Sequence, residues 1–280
     1  MKKKVIIVSI IVVSIITIIL LYARFIGTSG LKIKEYKVTN SNIINEYHGL
    51  KIVHITDIHY NTTIKEKKLN SLVEQINFIN PDIVVLTGDL LDETVEYNKD
   101  EIINNLKQIK AKLGKYAISG NHDYPVENYY SIIEESGFTN LDNTYELIYN
   151  NTNQPIIISG ISSNIMDTTD LNTKTEKFTE YISTNGKPIY SILLIHEPDY
   201  IDNLDLNNYD LILAGHSHNG QINIPLLKKL YLPVGSIKYV DGHYNINNTD
   251  VFISNGIGTS GVKFRLFSKP SFNFYRITNK

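Results

Sequence analysis

The sequence predicts an α/β domain that follows a membrane-spanning helix, and three observations lead to this interpretation. Residues 5–23 read VIIVSIIVVSIITIILLYA and carry no charged side chain. Between residues 50 and 119, apolar strands alternate with amphipathic helices, which is the pattern of a parallel α/β sheet. Five apolar strands are each followed by Asp, Asn or His, either directly or after one glycine. A chain of 280 residues is long enough for one large domain with a sizeable core.

The N-terminal apolar run is long enough to cross a bilayer, because nineteen helical residues cover roughly 28 Å. Lys2, Lys3 and Lys4 are expected to stay in the cytoplasm, which places the rest of the chain outside. We therefore expect a single-pass cell-membrane protein with an extracytoplasmic domain. Its parts are a cytoplasmic basic stub at 1–4, a signal anchor at 5–23, a linker at 24–32 and one domain at 33–280. The alternative is a cleaved signal peptide, with GTSG (27–30) as the weak candidate site.

Composition excludes several classes of site. The formal net charge is −2, so no global field points to nucleic acid, and no specific nucleic-acid binding is expected. The chain has no cysteine, which excludes disulfides, thiolate zinc sites, iron–sulfur clusters and cysteine nucleophiles. A serine hydrolase is disfavoured, because the sequence has no G-x-S-x-G motif.

The remaining elements follow from periodicity and turn residues. Helical spacing of apolar residues predicts helices at 65–80, which Pro81 ends, and at 100–113, with Gly114 as the C-cap. Apolar and alternating runs predict strands at 33–39, 50–56, 82–88, 115–119, 145–149, 155–160, 189–195 and 209–214. The last third has few helical periods, and GHYNI, DVFIS and SFNFYRI are typical of antiparallel strands.

Polar motifs follow five of these strands. They are DIH (57–59), GD (88–89), GNHD (120–123), His196 and GHSH (215–218). Ligands of open α/β sheets bind beyond the carboxyl ends of the strands, so these side chains are expected to converge. Residues two apart in extended chain point to the same side, which applies to Asp57 with His59 and to His216 with His218. Gly88 lets the backbone before Asp89 approach a metal closely.

The candidate ligands are two carboxylates, one amide and four imidazoles, which is more than one mononuclear site commonly uses. They are Asp57, His59, Asp89, Asn121, His196, His216 and His218. Two metals that share a bridging carboxylate would account for the set. With a bridging hydroxide, such a centre keeps a net positive charge and attracts a phosphate ester.

These motifs, in this order, resemble the signature of the calcineurin-like metallophosphoesterases, which is D-x-H, GD, GNH[DE], H and GHxH. The resemblance runs from about residue 50 to the end of the chain. The ending GHSHNGQINIP…VDGHY…VFISNGIG…FRLF looks like the bacterial membrane-associated phosphodiesterase branch, some of whose members hydrolyse UDP-2,3-diacylglucosamine. The implied fold is a four-layer αββα sandwich of two mixed β-sheets flanked by helices.

The resemblance also implies roles for the site residues. The first metal would be held by Asp57, His59, Asp89 and His218, and the second by Asp89, Asn121, His196 and His216, with Asp89 bridging. His122 would donate a proton to the leaving oxygen or stabilise the phosphoryl oxygens, and Asp123 could orient His122 by a hydrogen bond. The implied reaction is in-line attack by a metal-bridging hydroxide on a phosphate ester.

The expected cofactors are two divalent metal ions, with Mn²⁺ or an Fe/Zn pair favoured by oxygen and imidazole ligands. The favoured substrate is a phosphodiester, lipid-linked or from the cell envelope. The enzymatic alternative is a phosphomonoesterase or a nucleotide or UDP-sugar-lipid pyrophosphate hydrolase. A metal-binding envelope scaffold without activity is the alternative from another class, and the oligomeric state is left open.

Some residues depart from the pattern or fall outside it. The turn reads HNGQ where relatives often have HGGQ, and Asn219 is expected to tolerate its left-handed conformation. GISS (160–163) lacks an acidic residue expected in this branch, which weakens the inference on substrate. His54 is expected to be a hydrogen-bonded core residue, and His243 is either structural or close to substrate. Lys228 and Lys229 either face solvent or contact an anionic head group.

Overall fold

A computed structural model describes residues 2–224 and 231–279 of the chain, so Lys228 and Lys229 lie outside the described residues. The chain begins with the apolar helix α1 (Lys2–Leu21), in which no residue is buried, and one π-helical turn (Tyr22–Ile26) continues it. Within the described part of the chain, this is the one helix with the length and composition to cross a membrane. A signal sequence would satisfy the same criterion.

Twelve strands and four further helices are described in the rest of the chain. The strands are β1 (Lys32–Thr39), β2 (Leu50–Ile55), β3 (Ile83–Thr87), β4 (Gly114–Ile118), β5 (Thr139–Asn140), β6 (Thr144–Ile148), β7 (Ile156–Gly160), β8 (Ser191–Ile195), β9 (Leu211–Ala214), β10 (Gly242–Ile246), β11 (Thr249–Ile253) and β12 (Ser271–Thr278). The helices are α2 (Glu66–Ile79), α3 (Lys99–Leu106), α4 (Tyr129–Glu135) and α5 (Leu171–Asn185).

The strands form two mixed sheets of six. The first has the order β1-β12-β2-β3-β4-β5, and the second has the order β10-β11-β9-β8-β7-β6. In the first sheet β2 to β5 are parallel, and β12 runs antiparallel to β2 but parallel to β1. In the second sheet β7, β8, β9 and β11 are parallel, and the edge strands β6 and β10 are antiparallel. The sequence predicted antiparallel strands in the last third of the chain. The structure differs in part, because β11 pairs in parallel with β9 and β12 pairs in parallel with β1.

Three apolar cores hold the layers together. One lies between the first sheet and α2, α3 and α4, with Leu69, Ile102 and Ile132 as buried helix residues. The second lies between the two sheets, and the third lies on the outer face of the second sheet, where Phe178 of α5 packs. This is the predicted α/β sandwich of two mixed sheets flanked by helices.

Three local predictions differ from the structure. The second predicted helix ends at Leu106 rather than 113. Beyond Leu106 the Asn77 side chain donates to the Gln108 carbonyl and accepts from the Lys110 N–H, and these contacts replace helical hydrogen bonds. Helices α4 and α5 have no counterpart in the prediction. The proposed linker is helical as far as Ile26, and Gly27 and Thr28 are buried against the domain.

Candidate metal centre

The polar motifs come together at one edge of the sandwich, where β2, β3, β4, β8 and β9 end. The backbone there is not extended, because five candidate ligands have a positive φ: Asp57, His59, Asp89, His216 and His218. The expectation that Asp57 and His59 share one side of an extended chain is therefore wrong, and tight left-handed turns bring them together instead. Such conformations cost energy, and they persist where the surrounding structure holds them, commonly at functional sites.

The first group of side chains contains Asp57, His59 and His218, all of them buried. His218 Nε2 lies 3.2 Å from Asp57 Oδ1 and 3.1 Å from His59 Nε2. Two imidazole nitrogens that face each other so closely, beside a carboxylate, form a suitable donor set for one cation.

The second group contains Asp89, His196 and His216, which are also buried. His196 Nε2 lies 3.2 Å from Asp89 Oδ2 and 3.2 Å from His216 Nδ1. The outer nitrogens have backbone partners: His196 Nδ1 lies 2.7 Å from the Thr87 carbonyl and His216 Nε2 lies 2.8 Å from the Val234 carbonyl. A ring that donates to a carbonyl through one nitrogen keeps the lone pair of the other for a metal.

Asp89 connects the two groups. Its Oδ2 lies 3.4 Å from His59 Nε2 in the first group and 3.2 Å from His196 Nε2 in the second. Its Oδ1 accepts a hydrogen bond of 3.0 Å from the His122 N–H. One carboxylate oxygen between two histidine clusters has the position required of a bridging ligand.

The residues of the site suit a pair of divalent cations. The Asn121 Oδ1 atom is buried and has no hydrogen-bond partner among the described residues. A buried carbonyl oxygen without a partner is costly, and a metal ion would satisfy it. All seven predicted ligands offer oxygen or nitrogen, which suits manganese, iron or zinc.

Burial and neighbouring charges shift the pKa values of the site residues. Burial acts to raise the pKa of Asp89, but the imidazoles of His196 and His59 outweigh it and hold that pKa well below its usual range. Burial acts to lower the pKa of His196, yet Asp89 and Asp57 raise it well above its usual value. Burial lowers the pKa of His59 to about 3. The charged form of the Asp89 carboxylate is thus favoured, and it favours positive charge beside it, either on a protonated histidine or on a metal ion.

His122 stands at the rim of the site, and Glu93 orients it. His122 Nδ1 lies 2.9 Å from Glu93 Oε2, and its Nε2 lies 3.4 Å from the Ser260 hydroxyl. Burial acts to lower the pKa of His122, but Asp89 and Glu93 raise it. Sequence reasoning missed Glu93, although the acidic pair that follows GD closely was a usable signal.

Asp123 has a role other than the predicted one. Its carboxylate accepts hydrogen bonds from the backbone N–H groups of Leu90, Leu91 and Gly120, and it makes none to His122 among the described contacts. Burial, followed by the charge of Asp89, raises the pKa of Asp123 to about 7. Asp123 therefore supports the turn that carries Asp89, because it sits at a loop start where backbone donors converge.

Arg265 is a second residue that sequence reasoning missed, although it lies in the FRLF motif. It is fully buried, and burial lowers the pKa of its guanidinium to about 10. Its Nη2 lies 3.0 Å from His218 Nδ1 and donates to the Gly258 carbonyl at 2.6 Å. Arg265 thus contacts a candidate metal ligand from the side away from the centre.

A cavity of about 590 Å³ opens above the metal centre. Polar residues of the candidate centre line it, among them Asp89, Asn121, His122, His216 and His218. Apolar and aromatic residues line it as well, among them Ile165, Ile222, Tyr231, Val234 and Val262.

The other sequence expectations have mixed outcomes. His54 is buried in β2 and contacts the Thr87 and Tyr275 hydroxyls, which confirms a hydrogen-bonded core histidine. His243 contacts Asp250 at 2.7 Å and is not among the described residues that line the cavity, which favours the structural alternative. Asn219 has φ 51° and ψ 34°, the left-handed conformation expected of it.

Comparison with known proteins agrees with these observations. The family model for calcineurin-like phosphoesterases matches residues 50–220. The uncharacterized metallophosphoesterase YkuE of Bacillus subtilis is 29% identical over 262 residues, which cover 91% of this chain and 88% of YkuE. YkoQ, another uncharacterized metallophosphoesterase of that organism, is 30% identical over 277 residues, which cover 92% of this chain and 97% of YkoQ.

A zebrafish (Danio rerio) relative, named as a transmembrane protein with a metallophosphoesterase domain, is 29% identical over 250 residues. The match covers 85% of this chain and 55% of that protein. The family match spans more than half of the chain and contains every one of the seven candidate ligands. The chain belongs to the calcineurin-like phosphoesterase family.

Proposed function

We propose that this protein is a metal-dependent hydrolase of phosphate esters that prefers diesters. The carrying observation is the position of the Asp89 carboxylate, which lies within 3.4 Å of a histidine from each of two ligand groups. When bound, two divalent ions supply an activated water nucleophile and positive charge beside the phosphoryl oxygens. Asp57, His59, Asp89 and His218 would hold one ion, and Asp89, Asn121, His196 and His216 the other.

The chain's own groups then bind, orient and protonate. His122 lines the cavity beside Asn121, and Glu93 and Asp89 keep its pKa raised, so that its ring can hold a proton. A protonated imidazole at this position can stabilise the phosphoryl oxygens or protonate the leaving oxygen. This role gives the site a group that a metal-holding scaffold has no need of.

One feature of the cavity favours a diester. Its volume of about 590 Å³ has room for substituents on both sides of one phosphate.

We further propose that α1 anchors the protein in the cell membrane, with the domain outside the cytoplasm. The helix has no charged residue from Val5 to its end at Leu21, none of its residues is buried, and its first turn is basic. The name of the zebrafish relative, a transmembrane protein, agrees with such an anchor.

The test uses the full-length chain in detergent, stripped of metal and reloaded with Mn²⁺ or Zn²⁺. Bis-p-nitrophenyl phosphate and p-nitrophenyl phosphate are assayed side by side. Metal-dependent cleavage that favours the diester, and that is lost in Asp89→Asn but kept in the surface control Asp100→Asn, is expected. Equal or better cleavage of the monoester would overturn the diester preference. Two bound metals without any hydrolysis of either ester would favour the inactive scaffold.

A further inference from the structure

One segment links the end of the N-terminal helix to the metal cavity. This segment, residues 260–268, is called the strap. The Arg265 N–H of the strap donates to the Ala23 carbonyl at 3.0 Å, at the end of the apolar helix. A side chain at Gly27 would collide with the Arg265 carbonyl, so the helix end and the strap are in direct contact.

The other side of the strap borders the cavity. The Leu266 N–H donates to the Gln221 carbonyl at 2.9 Å, and the Asn223 N–H donates to the Leu266 carbonyl at 2.9 Å. The Gln221 side chain donates to the Ser260 carbonyl at 2.7 Å. Gln221, Ser260 and Val262 all line the cavity. Only a few residues of the strap therefore separate its contact with the helix end from its cavity-lining residues.

Large apolar side chains are exposed on this part of the surface. Phe267 is 65% exposed and Val262 is 57% exposed on the strap, and Val234 is 68% exposed on the cavity wall. Phe25 and Ile26, in the last turn before the strap contact, are also exposed. Exposed apolar side chains that continue from a membrane-type helix indicate a surface that is covered in the working protein.

The strap is also basic. Lys263 is exposed next to Val262, Lys269 is exposed directly after the strap, and the strap has no acidic residue. Lys68 contacts the carbonyl of Thr28, directly beyond the helix end. Aromatic and apolar side chains interleaved with lysines are typical of segments that rest on an anionic lipid surface. A protein partner would not account for the continuity with α1.

We propose that the strap and the last turn of the N-terminal helix rest in the bilayer surface, so that the metal cavity opens at the lipid–water boundary. The phosphate esters available to the site are then those of amphiphiles held in the same membrane. Apolar cavity wall residues such as Val234 and Val262 would receive the part of the substrate next to its tail. This inference rests on the proposed membrane insertion of α1.

The test exploits the complete absence of tryptophan from the chain. Phe267→Trp gives a single fluorescent reporter on the strap of the full-length protein, which is reconstituted in phosphatidylcholine–phosphatidylglycerol vesicles. Tyr149→Trp is the matched control, because Tyr149 is exposed just beyond β6, beside the start of β7 and away from the strand ends that carry the metal centre. Ile15→Trp reports on insertion of α1.

In the vesicles, the reporter at position 267 is expected to fluoresce at shorter wavelength than the control reporter at position 149. It should also lose intensity when brominated lipids replace part of the phosphatidylcholine. The reporter at position 149 is expected to show neither change. Quenching at position 15 without quenching at position 267 would overturn the inference and leave the anchor intact, whereas no quenching at position 15 would overturn both. The fluorescence experiment does not depend on hydrolysis. Failure of the proposed enzymatic function would appear only in the activity assay described above.

Discussion

Glu93 Oε2 lies 2.9 Å from His122 Nδ1, and this contact leaves the other ring nitrogen for the cavity, where Ser260 lies 3.4 Å away. The contact holds the His122 imidazole beside the candidate metal ligands, and one of its ring nitrogens also lies close enough to His59 and Asp89 to belong to a group that could hold a metal. Its geometry differs from the sequence expectation, in which Asp123 orients the ring.

Replacement of His122 tests its proposed role as the general acid. His122→Ala is expected to keep both metals and to lower turnover by about 10²- to 10⁴-fold, the usual range for a general acid–base group. Turnover of bis-p-nitrophenyl phosphate and bound metal by elemental analysis are measured together. Unchanged turnover would remove His122 from the mechanism, and loss of metal would assign it a ligand role.

Glu93→Gln tests the electrostatic part of the contact. The Glu93 charge raises the pKa of His122, so the variant should have a lower His122 pKa. If protonated His122 is the active form, activity falls as pH rises through that pKa, and the alkaline limb of the kcat–pH profile should move to lower pH in the variant. A profile that drops in height without moving would mean that Glu93 acts by packing alone.

Gly120→Ala tests how tightly the turns around Asp89, the proposed bridging ligand, are packed. A Cβ at Gly120 would meet the Asp89 carboxylate, so the variant should bind less metal. Gly242→Ala is the control, since a Cβ there meets nothing within 4 Å although φ is +81°. It should cost about 1 kcal/mol of stability and keep its metal. Equal metal content in both variants would contradict the close approach.

Metal removal is expected to destabilise the fold. The site gathers two carboxylates and four imidazoles, and an ion that binds only the folded state stabilises it by about 2.7 kcal/mol at a hundredfold excess over Kd. Thermal melting of the metal-free chain, titrated with Mn²⁺, should show a rise of several degrees in Tm, because 1 kcal/mol corresponds to about 2–4 °C in a large domain. The same titration of Asp89→Asn should give a much smaller rise.

His54 should contribute to acid sensitivity. Burial lowers its pKa to about 3 from an ordinary 6.5, so between these values the unfolded chain binds a proton that the folded chain does not. Stability is therefore lost as pH falls below about 6.5, at up to about 1.4 kcal/mol per pH unit. His54→Gln should be less stable at pH 7 yet lose stability less steeply between pH 6 and 4 in urea unfolding. Parallel slopes would show that His54 is protonated in the fold.

The sequence predicts the sheet strands well, because runs such as IVVLT and SILLI have the length and composition of buried strands. Convergence of the ligands follows from their places at strand ends. Helix α5 escapes prediction because LNTKTEKFTEYISTN is mostly polar and buries only Lys174, Thr175 and Phe178. The partners of His122 and His218 escape it because Glu93 and Arg265 come from loops, whose course depends on tertiary contacts.

The hydrogen bond from the Arg265 N–H to the Ala23 carbonyl ties the N-terminal helix to the site, so a cut after the helix would affect both. Arg265 holds the helix end through its backbone and reaches His218 through its guanidinium. A cut within residues 24–30 would separate Ala23 from the domain. The buried Arg265 N–H would then lose the carbonyl to which it donates. If the helix anchors the domain as we propose, such a cut would therefore change the surroundings of Arg265, whose guanidinium contacts the candidate metal ligand His218.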